Sequence, residues 1–85
     1  MHKISFTKEA DKALRKMPRN IAQLIREKLE HLACDPYAPN NNVTKLQNRE
    51  GDRLRVGDWR AIYEIKDDQL LILVLKIAPR GEVYR

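Results

Sequence analysis

The sequence has little of what common metal and nucleophilic sites are built from. It contains one cysteine and two histidines in 85 residues. A single thiol cannot form an internal disulfide and fits a reducing compartment. His31 and Cys34 lack the second pair of ligands that a structural zinc site needs. Because His2 and His31 fall in different predicted elements, no Ser–His–Asp or Cys–His catalytic set can be argued, and we expect no metal.

Glycines and long apolar runs are also scarce. There are three glycines, and none forms the glycine-rich loop that cradles the phosphates of a nucleotide. The longest apolar run, residues 70–75, is far shorter than the roughly 20 residues of a membrane helix. Residues 1–6 are too few for the apolar core of a signal peptide. We therefore expect a cytoplasmic protein that has no membrane contact and needs no cofactor.

Basic residues, by contrast, are plentiful. Seventeen Lys and Arg against twelve Asp and Glu give a formal net charge of +5. This balance steers polyanions and acidic proteins toward the surface, but it carries no information on the fold. The length of 85 residues predicts one domain spanning residues 1–85.

Hydrophobic periodicity predicts a short opening strand followed by two helices. Residues 2–6 alternate between apolar and polar side chains, as a strand does. Thr7 is suited to cap a helix that ends before Pro18, and Pro18 can open a second helix running to about Ala33. The apolar stripe of the second helix is predicted to contain Ile21, Leu24, Ile25, Leu29 and Leu32. Together they predict an antiparallel helical hairpin.

Residues 53–63 predict a β-hairpin with a defined register. Gly57 and Asp58 form a two-residue turn signal, because glycine supplies the positive φ that such turns need. The turn fixes the facing pairs, which are Val56 with Trp59, Arg55 with Arg60, Leu54 with Ala61 and Arg53 with Ile62. One face of the hairpin is therefore apolar, and the other carries three arginines.

The arginine face has two interpretations. Arg53, Arg55 and Arg60 lie close together, and like charges directly opposite each other destabilise a sheet. That cost favours a site that holds an anion. The alternative is an exposed sheet face whose arginines only promote solubility.

The remaining segments complete an α+β prediction. A strand over 59–66 leads through a turn at Asp67–Asp68 into an apolar inner strand over 70–78, and residues 80–85 form a tail. Residues 43–46 are predicted to be an irregular lead-in. The predicted order is β-α-α-β-β-β, with a helical hairpin packed on one face of a small antiparallel sheet. The arginine face would be the opposite, open one.

Arg80 follows the inner strand, so we expect it at the end of the sheet where the arginine hairpin turns. Converging guanidinium groups bind phosphate oxygens and can stabilise a phosphoryl transition state. RNA brings its own nucleophile, the 2′-hydroxyl. The cluster therefore favours RNA cleavage, with Glu82 and Tyr84 close in sequence. The alternative is that Tyr84 only packs and that the arginines bind an acidic partner.

The hairpin stretch 53–63, the apolar strand and the tail 80–85 together resemble the RelE/ParE superfamily of bacterial and archaeal toxins. The likeness covers nearly the whole chain and includes the opening strand and the helical hairpin. It implies the toxin of a type II toxin–antitoxin pair, with a RelE-like fold, neutralised by a cognate antitoxin protein. The tail is more similar to the RelE branch. Its members enter the A site of the 70S ribosome and cleave mRNA without a metal.

The resemblance also implies residue roles, namely catalysis by Arg55, Arg60, Arg80 and Tyr84 and RNA binding by Lys45, Arg53 and Arg55. Arg60 and Arg80 are expected to stabilise phosphate charge. Arg55 stands where relatives have a lysine, and arginine is too basic to accept a proton. We therefore expect Tyr84 or Glu82 to be the proton acceptor. Pro79 stands where many relatives carry a histidine, which removes another acid–base candidate.

Two further functions remain open. A ParE-like protein would inhibit DNA gyrase without nuclease activity, and the same fold supports both activities. A basic RNA-binding or partner-binding domain without toxicity is the third reading. A gyrase inhibitor would not need Arg60, Arg80 and Tyr84 together, so these residues favour the nuclease.

Overall fold

The fold is a five-stranded sheet with two helices packed on one face. The computed structural model describes residues 1–83, and its elements in chain order are β1 (Lys3–Phe6), α1 (Lys8–Lys16), α2 (Arg19–Cys34), β2 (Val43–Lys45), β3 (Asp52–Val56), β4 (Trp59–Lys66) and β5 (Leu71–Pro79). A 3-10 turn, Asp67–Gln69, joins β4 to β5.

The strand order in the sheet is β1-β5-β4-β3-β2. Neighbouring strands are antiparallel except β1, which pairs in parallel with β5. The α+β prediction is confirmed, and β5 is an inner strand as expected. Most of the lead-in at residues 43–46 is regular, because Val43–Lys45 form β2 and add a strand to the edge of β3.

Local sequence signals set the boundaries of both helices. The hydroxyl of Thr7 accepts a hydrogen bond from the backbone N–H of Ala10 at 3.2 Å and caps α1. Pro18 stands at the N-cap of α2, where its missing N–H costs nothing. Neither helix in the described range 1–83 is long and apolar enough to cross a membrane.

The main core lies between the two helices and the sheet. Its largest fully buried side chains on this side of the sheet are Ile25, Leu29, Leu54, Tyr63, Ile72 and Val74. The prediction that Leu24 belongs to this core is wrong, because Leu24 is 42 % exposed. The buried face of α2 instead includes Ala22 and Ala33, whose small side chains let the helix lie close to the sheet.

The hairpin has the predicted register in all four facing pairs. Gly57 has a φ of +58°, which suits the first central position of a two-residue hairpin turn. Leu54 and Ala61 are both 1 % exposed and face the helices, as the alternation predicts.

The opposite face of the sheet is partly covered, so the prediction of an open face is wrong there. Ile62, Ala78 and Val83 form a second apolar cluster, with Leu46 and Leu75 packed against it. Two features build this cluster. Residues 80–83 fold back as turns that bury Val83, and a bulge in β5 leaves Leu75 between the residues paired with Ile62 and Tyr63.

Candidate functional site

An open cleft of about 480 Å³ lies at the turn of the β3–β4 hairpin. Its lining residues are Leu24, Lys28, Asn42, Arg55, Val56, Gly57, Asp58, Arg60 and Arg80. Four of these are basic and one is acidic, so the cleft is strongly positive. A concave positive surface concentrates anions from solution.

Arg60 occupies the centre of this charge. Its Nη1 donates hydrogen bonds to the backbone carbonyls of Gly57 and Trp59, both at 2.9 Å, which hold the guanidinium over the hairpin turn. Burial lowers the pKa of Arg60, and the positive charges of Arg53, Arg80 and Arg55 lower it further. An arginine remains charged under such shifts, so Arg60 stays a cation beside the other arginines.

Arg55 lies directly opposite Arg60 in the hairpin and is oriented by a loop residue. Its Nη2 donates to Oδ1 of Asn42 at 3.0 Å, and its backbone N–H donates to the carbonyl of Asn42 at 2.8 Å. Asn42 is itself held, because its N–H donates to Oδ1 of Asn40 at 2.8 Å. No spacing rule links a loop asparagine to a strand arginine, so sequence reasoning missed Asn42.

Arg80 reaches the cleft from the end of β5. Its backbone N–H donates to the carbonyl of Asp58 at 2.7 Å and ties the strand end to the hairpin turn. Three of the four arginines expected to gather, Arg55, Arg60 and Arg80, therefore line one cleft, whereas Arg53 lines a neighbouring cavity. Within residues 1–83, Arg55, Arg60 and Arg80 form no ion pair with a carboxylate. The negative charge of Asp58, which also lines the cleft, offsets part of the positive charge at Arg60.

The other predicted site residues are distributed differently. Lys45 and Arg53 line a neighbouring cavity of about 370 Å³ together with Arg49. Glu82 is exposed in the turn after Arg80, and its backbone N–H donates to the carbonyl of Pro79 at 3.0 Å. The tail tyrosine, Tyr84, lies outside the described residues.

Two other features of the described chain bear on the chemistry. Residues 1–83 contain no group of three or more His, Cys, Asp or Glu that could hold a metal ion. The hydroxyl of Tyr63 is buried without a hydrogen-bond partner in this range. Burial raises the pKa of Tyr63 well above its usual range, and the negative charge of Asp52 adds to the shift. Tyr63 is therefore unsuited to accept a proton.

Residues 4–84 match the family described as the ParE toxin of the type II toxin–antitoxin system, parDE. The chain belongs to this family. The match spans both helices and all the residues that line the cleft. The match confirms the RelE/ParE resemblance drawn from the hairpin and tail. The chain is called the ParE-family toxin below.

Known proteins are similar to this ParE-family toxin over nearly its full length. An Escherichia coli protein described as a RelE-like toxin is 26% identical over 98% of this chain and 90% of its own. The archaeal RelE–RelB complex of Pyrococcus horikoshii has a TM-score of 0.81 and 28% identity, covering 96% of this chain and 98% of that one. The Mycobacterium tuberculosis RelBE2 toxin–antitoxin complex has a TM-score of 0.77 at 24% identity, covering 93% and 98%, and supports the fold. The ParE-family toxin is thus RelE-like in sequence and fold.

Proposed function

We propose that this ParE-family toxin is a ribosome-dependent endoribonuclease that cleaves mRNA in the ribosomal A site. The observation that carries the proposal is the convergence of Arg55, Arg60 and Arg80 on one cleft. The likeness to RelE-like toxins adds support from the whole chain. Guanidinium groups provide planar, paired donors for phosphate oxygens, and a preorganised set of them stabilises developing negative charge.

The proposed reaction is an internal transfer at phosphorus. The 2′-oxygen of one nucleotide attacks the adjacent phosphorus while its proton passes to an acceptor. The bond from phosphorus to the 5′-oxygen of the next nucleotide breaks, and that oxygen takes up a proton. The products are a 2′,3′-cyclic phosphate and a 5′-hydroxyl, so no water, oxidant or reductant is consumed.

Each site residue has a role in this proposal. Arg60 and Arg80 contact the non-bridging oxygens of the scissile phosphate and stabilise their added charge in the transition state. Arg55, held by Asn42, orients the same phosphate. Glu82, an exposed carboxylate two residues after Arg80, is the proposed proton acceptor, with Tyr84 as the alternative.

The neighbouring cavity extends the substrate site. Lys45 and Arg53 line it, and the charge of Arg53 is felt at Arg60. We assign these two residues to phosphates that lie further along the mRNA. Phosphate contacts of this kind position a nucleic acid and make its binding depend on salt.

The proposal also defines partners and location. The 70S ribosome would present the mRNA strand to the cleft, which places the toxin in the cytoplasm. Solved structures similar to this chain include toxin–antitoxin complexes, such as the Pyrococcus horikoshii RelE–RelB complex. We therefore propose a cognate antitoxin protein as the neutralising partner.

Inhibition of DNA gyrase is the second candidate, because the matching family is named for ParE. One experiment separates the two activities. Purified toxin is added in parallel to a translation extract, where mRNA integrity is followed, and to a gyrase supercoiling reaction. The nuclease proposal predicts cut mRNA and normal supercoiling. Intact mRNA with halted supercoiling would assign the toxin to gyrase.

A further inference from the structure

The wall of the cleft that faces the arginines is formed by α2. Leu24 and Lys28 line the cleft from this helix. They are four residues apart, so they lie on the same face of the helix, one turn from each other. The cleft thus has guanidinium groups on the hairpin side and an apolar side chain with an ammonium group on the helix side.

Leu24 is unusual among the apolar residues of α2. It is 42 % exposed, whereas Ile25, Leu29 and Leu32 on the same helix are at most 4 % exposed. A single exposed leucine needs no special explanation on most surfaces. This one differs because it lies beside four cations in a concave site.

The chemistry of the two walls matches one nucleotide of a single strand. A nucleotide combines an anionic phosphate with a base whose faces are apolar, and single-stranded RNA exposes those faces. A cleft of about 480 Å³ falls within the usual range for sites that hold a small ligand, roughly 300–1,000 Å³. An acidic peptide would satisfy the cations, but it would not require an apolar contact set between them.

We propose that Leu24 and Lys28 form a nucleotide subsite of the cleft. Lys28 contacts the phosphate adjacent to the one held by the arginines. Leu24 packs against the unstacked base between these two phosphates. This inference rests on the proposed nuclease function and adds a substrate contact from the helix to a site otherwise built on the sheet.

The test uses full-length toxin and ribosomes programmed with a defined mRNA. Single-turnover cleavage is measured over a range of toxin concentrations, which separates half-saturation from the maximal rate. The variants are Lys28→Ala and Leu24→Ser. The matched controls are Lys12→Ala, which removes an exposed lysine of α1, and Leu70→Ser, which removes an exposed leucine at the end of the 3-10 turn and outside the cleft.

The subsite predicts a binding defect without a chemical defect. Lys28→Ala should raise the half-saturating concentration about fivefold, as expected for one exposed charge contact, and leave the maximal rate near that of wild type. The slope of log affinity against log salt should fall by about 0.7, the value for one phosphate contact to a single strand. Leu24→Ser should raise half-saturation about threefold, and both controls should match wild type.

The outcomes separate this inference from the function on which it rests. Cleavage by wild type with Lys28→Ala indistinguishable from Lys12→Ala overturns the subsite alone. Intact mRNA with wild-type toxin overturns the nuclease proposal itself. A parallel titration with the cognate antitoxin covers the other occupant: a Lys28→Ala defect in antitoxin binding only would assign this wall to a protein contact and overturn the RNA subsite.

Discussion

The charged side chains at the two ends of strand β4 are arranged differently. At the hairpin end, Arg55, Arg60 and Arg80 line one cleft, and no carboxylate in residues 1–83 forms an ion pair with them. At the other end, Asp67 accepts a hydrogen bond from the hydroxyl of Tyr37 and lies 3.1 Å from Nε2 of His2. At one end a carboxylate is compensated by hydrogen-bond donors, and at the other end cations accumulate.

The two ends differ in their expected effect on stability. Hydrogen bonds to an exposed carboxylate lower the free energy of the folded state slightly. Like charges that face each other across a sheet, as Arg55 and Arg60 do, raise it. The unfavourable arrangement at the hairpin end is consistent with an anionic ligand that completes the site there.

Removal of Arg80 should produce the largest effect on activity. Arg80→Ala is expected to slow mRNA cleavage more than tenfold, because one donor to a developing negative charge contributes roughly 2–4 kcal/mol. Single-turnover cleavage on programmed ribosomes measures it. Arg19→Ala, which removes an exposed arginine at the start of α2, is the control. Equal cleavage rates for the two variants would show that Arg80 has no role in the reaction.

Asn42 sharpens the comparison because it holds an arginine of the cleft without contributing charge. Asn42→Ala removes the 3.0 Å hydrogen bond to Nη2 of Arg55, and cleavage should fall about fivefold, or about 1 kcal/mol. Asn41→Ala, in the same exposed loop, should leave the rate unchanged. If the two alanine variants cleave equally, the orientation of Arg55 does not matter.

The cost of the arginine pair should appear as a gain in stability when the pair is broken. Arg55→Thr removes one of two like charges that face each other, but it also removes the hydrogen bond to Asn42. In the Asn42→Ala background, where that bond is already absent, adding Arg55→Thr should raise stability to thermal unfolding by about 0.5 kcal/mol. Lys45 faces Asp52 across β2 and β3, so Lys45→Thr should lower stability by a similar amount. A loss of stability in both variants would mean that the hairpin end carries no penalty.

The smallest effect is expected at the compensated end and depends on pH. The hydrogen bond from Tyr37, followed by that from His2, lowers the pKa of Asp67. A carboxyl group whose pKa falls on folding stabilises the protein above its unfolded pKa, about 3.9, and this contribution disappears as the pH drops through the folded pKa. The drop in thermal stability at acid pH should therefore be smaller for Asp67→Asn than for wild type.

Asp68 provides the control for that measurement. It is an exposed neighbour in the same 3-10 turn, and Asp68→Asn should keep the acid-dependent loss of stability seen in wild type. Identical pH profiles for the two variants would contradict a special role for Asp67.

Much of the frame could be predicted because local signals determine it. Thr7 and Pro18 set the helix boundaries, and Gly57 with Asp58 set the hairpin register residue by residue. The convergence of Arg80 on the hairpin followed from this register and from the antiparallel pairing of β4 with β5. Short turns and fixed alternation leave few alternative arrangements for such segments.

The remaining features depend on tertiary contacts that have no local signal. The apolar run in β5 conceals the bulge at Leu75, because every position in it fits either face. The three-residue strand β2 exists only through its pairing with β3. Leu24 fits a helical stripe by spacing, but it is 42 % exposed and lines the cleft instead.

Primer extension on cellular mRNA after brief induction of the toxin tests whether the arginines of the hairpin end support mRNA cleavage on the ribosome. We expect new 5′ ends at a constant position within codons, present only while translation continues and strongly reduced for Arg80→Ala. Growth arrest with intact mRNA in cells that produce the wild-type toxin would contradict it.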